Sequence, residues 1–325
     1  MATFVLAAVL LMMSASVGVV SGVVTTSPPP LSFPKGQVVG FWWMRKAVLN
    51  EAVEQASLGG ASVSPTQLAS QIRSSMLKVK SQSITADGKV DYAGIQESEA
   101  FRSYLSLTRE LKSVDLGALS ASGKKSCLLN IYNCLIIHAV INGLLDVKGG
   151  TLARVKLYAS AAYNIGGVAF SLNDLENGLL RGNRKSAVPL TGLPFPDESD
   201  PRRRLQLECD PRIHFALNCG AVSCPPIGVY TEEDVDAELA LATEGFLDQS
   251  VSFDTSSKTV TLSMLFSWYR QDFGQTDAEV LEWIRANASP ELKVRLDNFQ
   301  ASLGAGTGMQ GLKISYAPYD WSLND

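Results

Sequence analysis

A mostly apolar stretch from Ser126 to Leu145 is broken at regular intervals by more polar residues. Residues four apart lie on one face of an α-helix, so the spacing predicts a helix with a single polar stripe. Because buried polar groups need hydrogen-bond partners, we expect this helix at the centre of the fold, with its stripe facing polar groups of another segment. The stripe consists of Asn130, Asn133, Cys134, His138 and Asn142.

Shorter periodic patterns on either side predict further helices and a few short strands. Helices are predicted at 39–56, 65–81, 98–113, 171–180, 231–246, 265–273, 277–286 and 291–302. Strands are predicted at 155–159, in hairpins over 163–170 and 251–262, and at 313–316. The sequence contains no internal repeat. The mixture of helices and strands predicts an α+β fold, with one domain around the central buried helix.

The N-terminus carries an uncharged apolar leader. Its core, residues 3–13, is almost entirely Val, Leu, Ala, Phe and Met, and small residues follow it, while the first charged residue is Lys35. This pattern predicts a secretory signal peptide over 1–22, which places the protein in the secretory pathway or outside the cell. The alternative is an uncleaved membrane anchor, because 2–24 approaches the ~20 residues that span a bilayer.

The segments after the leader differ in composition. Four prolines lie between residues 25 and 35, and proline cannot continue a helix or a central strand, so 23–38 is predicted to be an extended Pro-rich spacer. We expect an N-terminal helical extension over 39–83 and the α+β domain over 84–325.

Charge and histidine content narrow the chemistry. The 325 residues include 28 basic and 32 acidic ones, a net charge of −4, so no positive excess is present for a phosphate backbone and no nucleic-acid partner is expected. The only histidines are His138, which we expect to be structural, and His214. No cofactor is predicted. The expected partner is an unidentified protein or small molecule, and a membrane only if the leader is not cleaved.

Chemically active side chains concentrate between Asp210 and Pro226. A neighbouring imidazole can lower the pKa of a thiol, so one interpretation is Cys219 as nucleophile with His214 as base. A second is a metal site formed by His214, Cys219 and Cys224, which needs a fourth ligand from elsewhere. The third is purely structural, with the two cysteines buried or joined in a disulfide.

Several motifs, in the order in which they occur, resemble one family. They are Lys89–Tyr92, Asn130–Asn133, Ser171–Glu176 with Leu180–Arg181, Asp210–Pro226, Ser267–Phe273 and Tyr316–Asn324. In these motifs, which extend over about residues 84–325, the chain resembles the domain of unknown function 547 family. That family has no assigned reaction. It is sometimes grouped with papain-like and transglutaminase-like folds, so the resemblance implies a fold of that kind.

The resemblance also bears on individual residues. Some members carry serine at the second cysteine of the histidine-containing motif, so the resemblance favours His214 and Cys219 over Cys224 and counts against the metal site. The family's recurring positions correspond here to Asn130, Tyr132, Asn133, Glu176, Arg181, Asp210, Arg212, His214 and Cys219.

Two functional hypotheses follow. The first is a thiol-dependent hydrolase or acyltransferase acting on an amide or ester, in which Cys219 is the nucleophile, His214 is the base, and Asn133 or Asn130 orients the imidazole. The second is a non-catalytic module that binds a partner or has a structural role.

The leader yields a direct prediction. If 1–22 is a signal peptide, the mature chain begins near Val23, because the small residues around Gly22 suit cleavage there. N-terminal sequencing of secreted protein measures this. Recovery of the intact leader in a membrane pellet would support the anchor instead.

Overall fold

The computed structural model describes residues 46–51, 63–82, 91–145, 150–187, 192–302 and 312–322. Helices make up most of this part of the chain, joined by short 3-10 turns. The α-helices are α1 (Pro65–Gln82), α2 (Tyr92–Glu97), α3 (Glu99–Arg109), α4 (Ala121–Ile141), α5 (Gly150–Ser160), α6 (Val235–Ser250), α7 (Met264–Trp268), α8 (Arg270–Phe273), α9 (Asp277–Asn287) and α10 (Pro290–Ser302).

Six short strands form two three-stranded sheets within the described residues. In the first sheet β1 (Ala47–Val48) pairs parallel to β2 (Ala161–Ile165), which pairs antiparallel to β3 (Val168–Ser171). In the second, β4 (Ser252–Asp254) pairs antiparallel to β5 (Thr259–Leu262), which pairs parallel to β6 (Lys313–Tyr316). Gly166 and Gly167 connect β2 and β3 with φ of 59° and 83°, which suits the tight turn of a two-residue hairpin.

Helix α4 lies at the centre of the larger of two hydrophobic cores. It has 21 residues, is buried along almost its whole length, and begins where the Ser120 side chain accepts a hydrogen bond from the backbone N–H of Gly123. Its apolar side chains pack with α1, α3 and the first sheet in this first core. The fold therefore places the polar stripe of α4 inside the protein.

A second core contains side chains from α6, from the second sheet and from α7 to α10. The two cores meet at a 3-10 helix, Pro211–Phe215. Ile213 of that helix belongs to the first core and Phe215 to the second, and both are buried. His214, the one residue between them in sequence, consequently lies at the boundary of the cores.

Most sequence-based predictions of fold are confirmed. The chain has an α+β fold around a central buried helix, and the hairpins, the C-terminal helices and the strand β6 lie where their patterns predict them. The side chain of Ser64 accepts a hydrogen bond from Gln67 at the start of α1. Thr276 and Glu279 form a reciprocal capping box at the start of α9. These local signals mark helix starts reliably.

Two predictions of secondary structure are wrong. Residues 155–159 are helical and not a strand, because the buried positions Arg154, Leu157 and Ser160 recur every three residues along one face of α5. The described part of the predicted helix 39–56 contains the strand β1. Its pairing partner, β2, lies more than a hundred residues away in sequence, so local periodicity carries no signal of it.

Some predictions fall outside the described residues. These are the signal peptide 1–22, the spacer 23–38 and, within the extension 39–83, residues 39–45, 52–62 and 83. In the part of the chain that the structure describes, no helix combines the length and the apolar character needed to span a membrane.

His138 lies on α4 in a fully buried aromatic cluster. Its Nδ1 lies 2.8 Å from the hydroxyl of Tyr163, and its ring packs edge-on against Phe101 and Tyr104. Burial lowers the pKa of His138 to about 3, so the ring is neutral in the folded protein. Its hydrogen bond and its ring contacts within the described residues are to Tyr163, Phe101 and Tyr104, which supports the structural role predicted for it.

Replacing His138 with alanine should lower the free energy of unfolding by about 1 to 3 kcal/mol at about pH 8, through a cavity and a lost hydrogen bond. The loss should be smaller at about pH 5. Below the unfolded pKa of 6.5 the unfolded wild-type chain takes up a proton that the buried ring excludes, which destabilises wild type but not the variant. Urea unfolding at both pH values tests this, and an equal loss at both would contradict it.

Candidate active site

A cavity of about 400 Å³ opens at the boundary between the two cores. Its walls come from α4, α5, the turn after β3, the segment 214–225, α7 and the C-terminal segment that follows β6. Aromatic rings make up much of its surface, together with a few ionisable groups. Among the side chains that line it are Tyr132, Arg154, Glu176, His214, Cys219, Trp268, Tyr269, Tyr319 and Trp321.

His214 is part of the short 3-10 helix Pro211–Phe215. The side chain of Asp210 caps this helix by accepting a hydrogen bond from the backbone N–H of Arg212. Although burial opposes its ionisation, hydrogen bonds from Arg212 and Lys125 lower the pKa of Asp210 to about 2. The Asp210–Arg212 pair is therefore a structural anchor for the histidine.

Asp272, from α8, orients the imidazole. His214 Nε2 lies 2.8 Å from Asp272 Oδ2, and the imidazole stacks on Tyr269 with 3.9 Å between ring centroids. Burial opposes ionisation of Asp272, but hydrogen bonds from His214 and Arg181 hold its pKa well below its usual range. An ionised carboxylate only accepts hydrogen bonds, so Nε2 donates and Nδ1 is the acceptor of the neutral ring. Burial lowers the pKa of His214 despite the carboxylate, which favours this neutral form.

Two arginines complete the surroundings of Asp272. Arg181 donates to both carboxylate oxygens, at 2.6 and 3.0 Å, and Arg184 donates to Oδ1 at 2.7 Å. The guanidinium of Arg181 also lies 4.7 Å from the centroid of the Tyr269 ring. The carboxylate of Asp272 is completely buried, so its negative charge depends on these donors.

Glu176 lies in a π-helix, Asp174–Leu180, that follows β3. Its carboxylate accepts hydrogen bonds from the hydroxyls of Tyr132, at 2.9 Å, and of Tyr269, at 2.6 Å. A π-helix is rare and often occurs at a functional site, because the widened turn changes where its side chains point. Here it places a buried carboxylate in the wall of the cavity.

Cys219 and Cys224 line the cavity and are joined in a disulfide. The hydroxyl of Tyr319 lies 3.5 Å from the sulfur of Cys219 and 3.2 Å from that of Cys224. The loop between the cysteines contains Gly220, whose φ is 83°. Of the three interpretations of this segment, the structure contains the disulfide. A grouping of three or more potential metal ligands is absent from the described residues, so the metal site is not supported.

The predicted polar stripe of α4 does contact the segment that carries His214 and Cys219. The amide of Asn133 donates to the carbonyl of Ala216 and accepts from the backbone N–H of Asn218, both at 2.9 Å. The amide of Asn130 makes the same pair of bonds with the backbone of Tyr230. Asn133 thus fixes the chain directly before Cys219.

The predicted role of Asn133 or Asn130 in orienting the imidazole is not what the structure shows. Both amides bond to backbone groups, and the partner of His214 is Asp272, 58 residues further along the chain. The amide of Asn133 on α4 reaches the backbone of the neighbouring loop. The imidazole of His214 instead points to Asp272 in the second core. The sequence contained one signal of this partner, since Asp272 belongs to a C-terminal motif of the family resemblance. It contained no signal for Arg154.

The fold and the cavity define an α+β domain with a buried histidine–aspartate pair beside a disulfide. A family model described as "Protein of unknown function, DUF547" matches residues 116–247. The match supports the resemblance to the domain of unknown function 547 family over the part of the chain that includes Asn133, Glu176, His214 and Cys219. No curated protein and no solved structure matches the chain. Asp272 and Tyr269 lie outside the matched residues.

The contacts of Asn133 predict energetic coupling to His214. Asn133→Ala frees the backbone at Ala216 and Asn218, two and four residues after the histidine, so the double variant with His214→Ala should deviate from additivity by roughly 0.5 to 3 kcal/mol. Urea unfolding of the wild type, both single variants and the double variant measures it. Asn133→Ala combined with Ser256→Ala, on the exposed β4–β5 turn, is the control and should be additive. Additivity of both pairs would contradict the coupling.

Proposed function

We propose that this domain is a thiol-dependent hydrolase or acyltransferase that acts on an amide or ester in the cavity. The observation that carries the proposal is that His214, hydrogen-bonded to an ionised carboxylate, and Cys219 line the same cavity. A neutral imidazole whose Nε2 is engaged by Asp272 keeps Nδ1 as its proton acceptor. Such a group is suited to accept a proton from a thiol.

In the proposed reaction the disulfide is the resting form. A dithiol reduces the Cys219–Cys224 bond to two thiols and is itself oxidised to a disulfide. Nδ1 of His214 then accepts the proton of the Cys219 thiol, and the thiolate attacks the carbonyl carbon of the substrate. The C–N or C–O bond breaks as the leaving amine or alcohol takes the proton from His214. Water or a second nucleophile attacks the thioester and releases Cys219 as a thiol.

The hydroxyl of Tyr319 supports the same chemistry. It lies 3.5 Å from the sulfur of Cys219, within reach of an oxygen bonded to a carbon that this sulfur attacks. Burial raises the pKa of Tyr319, so its hydroxyl stays protonated and is able to donate a hydrogen bond to a developing oxyanion. The backbone N–H of Gly220 already donates to the side chain of Asn218. Tyr319 is therefore the proposed oxyanion donor.

The disulfide also favours a second candidate function. As a permanent cross-link it closes the loop beside the cavity, and the backbone N–H of Val222 donates to the carbonyl of Ser322, so the loop and the C-terminal segment support each other. A cavity with such a wall is suited to bind a ligand without covalent chemistry. In this second function the domain is a binding module.

We further propose that the protein is exported, as the leader predicts. The Cys219–Cys224 disulfide supports this location, because disulfides persist in oxidising compartments. Activity as a thiol enzyme there would need a thiol reductant of that compartment, such as a dithiol protein.

Alkylation by iodoacetamide separates the two functions. Cys224→Ser leaves Cys219 as a free thiol in the cavity that His214 also lines, and Cys219→Ser leaves Cys224 instead. At about pH 6 we expect Cys219 to react about tenfold faster than Cys224, because in the proposed mechanism His214 accepts the proton of the Cys219 thiol and not that of Cys224. Cys127, Cys134 and Cys209 give a slow background, since burial raises the pKa of each to about 12. Intact-mass spectrometry follows the reaction.

His214→Ala in the Cys224→Ser background is the matched control and should abolish the fast reaction. The same proteins, mixed with p-nitrophenyl acetate, should release a burst of p-nitrophenolate and gain one acetyl group on Cys219 only when His214 is present. Equal alkylation of the two cysteines, with no acetylation of Cys219, would reject the enzyme and leave the binding module.

A further inference from the structure

One arginine in the cavity wall, Arg154, has a guanidinium nitrogen without a hydrogen-bond partner. Arg154, on α5, is 8% exposed and lines the cavity. Its Nη2 donates to the backbone carbonyl of Trp321, and its guanidinium lies over the Trp321 ring at 4.6 Å from the centroid. Its Nη1 is buried and has no hydrogen-bond partner. A buried charged donor left unpaired is costly, and such a group indicates a partner that binds from outside the chain.

The other arginines at or near this site differ from Arg154. Arg181 and Arg212 each pair with a carboxylate, Asp272 and Asp210 respectively. No ion pair of Arg154 occurs among the described residues. Arg73 also has an unpaired Nη1, but it is not among the residues that line the cavity. Arg154 is thus the arginine here that combines an unpaired donor with access to a ligand.

The neighbouring carboxylate does not satisfy Arg154. The two oxygens of Glu176 accept hydrogen bonds from Tyr132 and Tyr269, on the side of the cavity formed by α4 and α7. Among the described lining residues Arg154 is the sole arginine or lysine and Glu176 the sole carboxylate. One arginine without an ion pair suits a ligand with a single negative charge, and the carboxyl group of Glu176 in the same cavity disfavours a dianion.

The other residues that line the cavity indicate the size and polarity of the uncharged part of such a ligand. Trp268 packs against Trp321 with 5.2 Å between ring centroids, and Tyr158 and Leu265 add further apolar surface. A volume of about 400 Å³ is at the small end of known small-molecule sites. The Trp321 ring that lies over the guanidinium is 39% exposed, so this end of the cavity is in contact with solvent.

We infer that the cavity binds a small monocarboxylate with an apolar or aromatic body, and that Arg154 holds its carboxylate through Nη1. The inference concerns binding and does not need Cys219 to react. If the proposed hydrolase function is also correct, it names the substrate class as amides or esters that carry a free carboxylate.

The test measures binding to the oxidised, unreacted protein. The probes are 4-phenylbutanoate, its neutral amide 4-phenylbutanamide, and inorganic phosphate, each titrated against wild type by calorimetry and tryptophan fluorescence. We expect the carboxylate to bind about tenfold or more tighter than the amide, as a charge-assisted hydrogen bond in a buried site implies. Phosphate should bind more weakly than the carboxylate.

Arg154→Met should remove the preference for carboxylate over amide, and Arg154→Lys should retain part of it because the charge remains. Arg204→Met, at an exposed position of the loop before the site, is the matched control and should bind like wild type. The wild-type comparison of carboxylate with amide needs no variant to fold. Equal binding of the two probes, no binding of either, tighter binding of phosphate, or unchanged carboxylate binding by folded Arg154→Met would each overturn the inference. None of these results depends on whether Cys219 is a nucleophile.

Discussion

The buried carboxylate of Asp272 is the group on which the site depends. It comes from α8 in the second core, and it binds His214 at the boundary and Arg181 at the end of the π-helix in the first. Because its side chain is completely buried, the charge is stable only while all these donors are present. The carboxylate therefore fixes the position of one core relative to the other, and the cavity lies along the boundary that it holds together.

A second contact across this boundary has the same character. Glu176 accepts hydrogen bonds from Tyr132 of the first core and from Tyr269, which lies between α7 and α8 of the second. Tyr269 also stacks on His214 and lies under the guanidinium of Arg181, so one ring contacts three of the polar groups. The polar groups of this network are hydrogen-bonded to one another. This explains how a fold with two apolar cores retains ionised groups in its interior.

Two features of the cavity are not needed to hold the fold together in this way. One is the disulfide of Cys219 and Cys224, in which the sulfur that the proposed reaction uses is bonded and is not a free thiol. The other is Arg154, whose Nη1 is unpaired although the rest of the buried network is satisfied. Groups that a fold leaves unsatisfied at a cavity are more informative about function than those it satisfies, because stability alone does not account for them.

The sequence by itself determined the local structure: the stripe of α4, the capped helix starts and the hairpins all depend on contacts a few residues apart. It also indicated that Asn133 would contact polar groups of another segment, because an amide buried on an apolar helix needs a hydrogen-bond partner. Only the tertiary structure decided that Asp272 orients His214, that β1 is a strand, and that Arg154 lies in the cavity on a helix that continues through the predicted strand 155–159. These features depend on contacts between distant parts of the chain. Such contacts produce no periodic pattern of hydrophobic and polar residues from which they could be predicted.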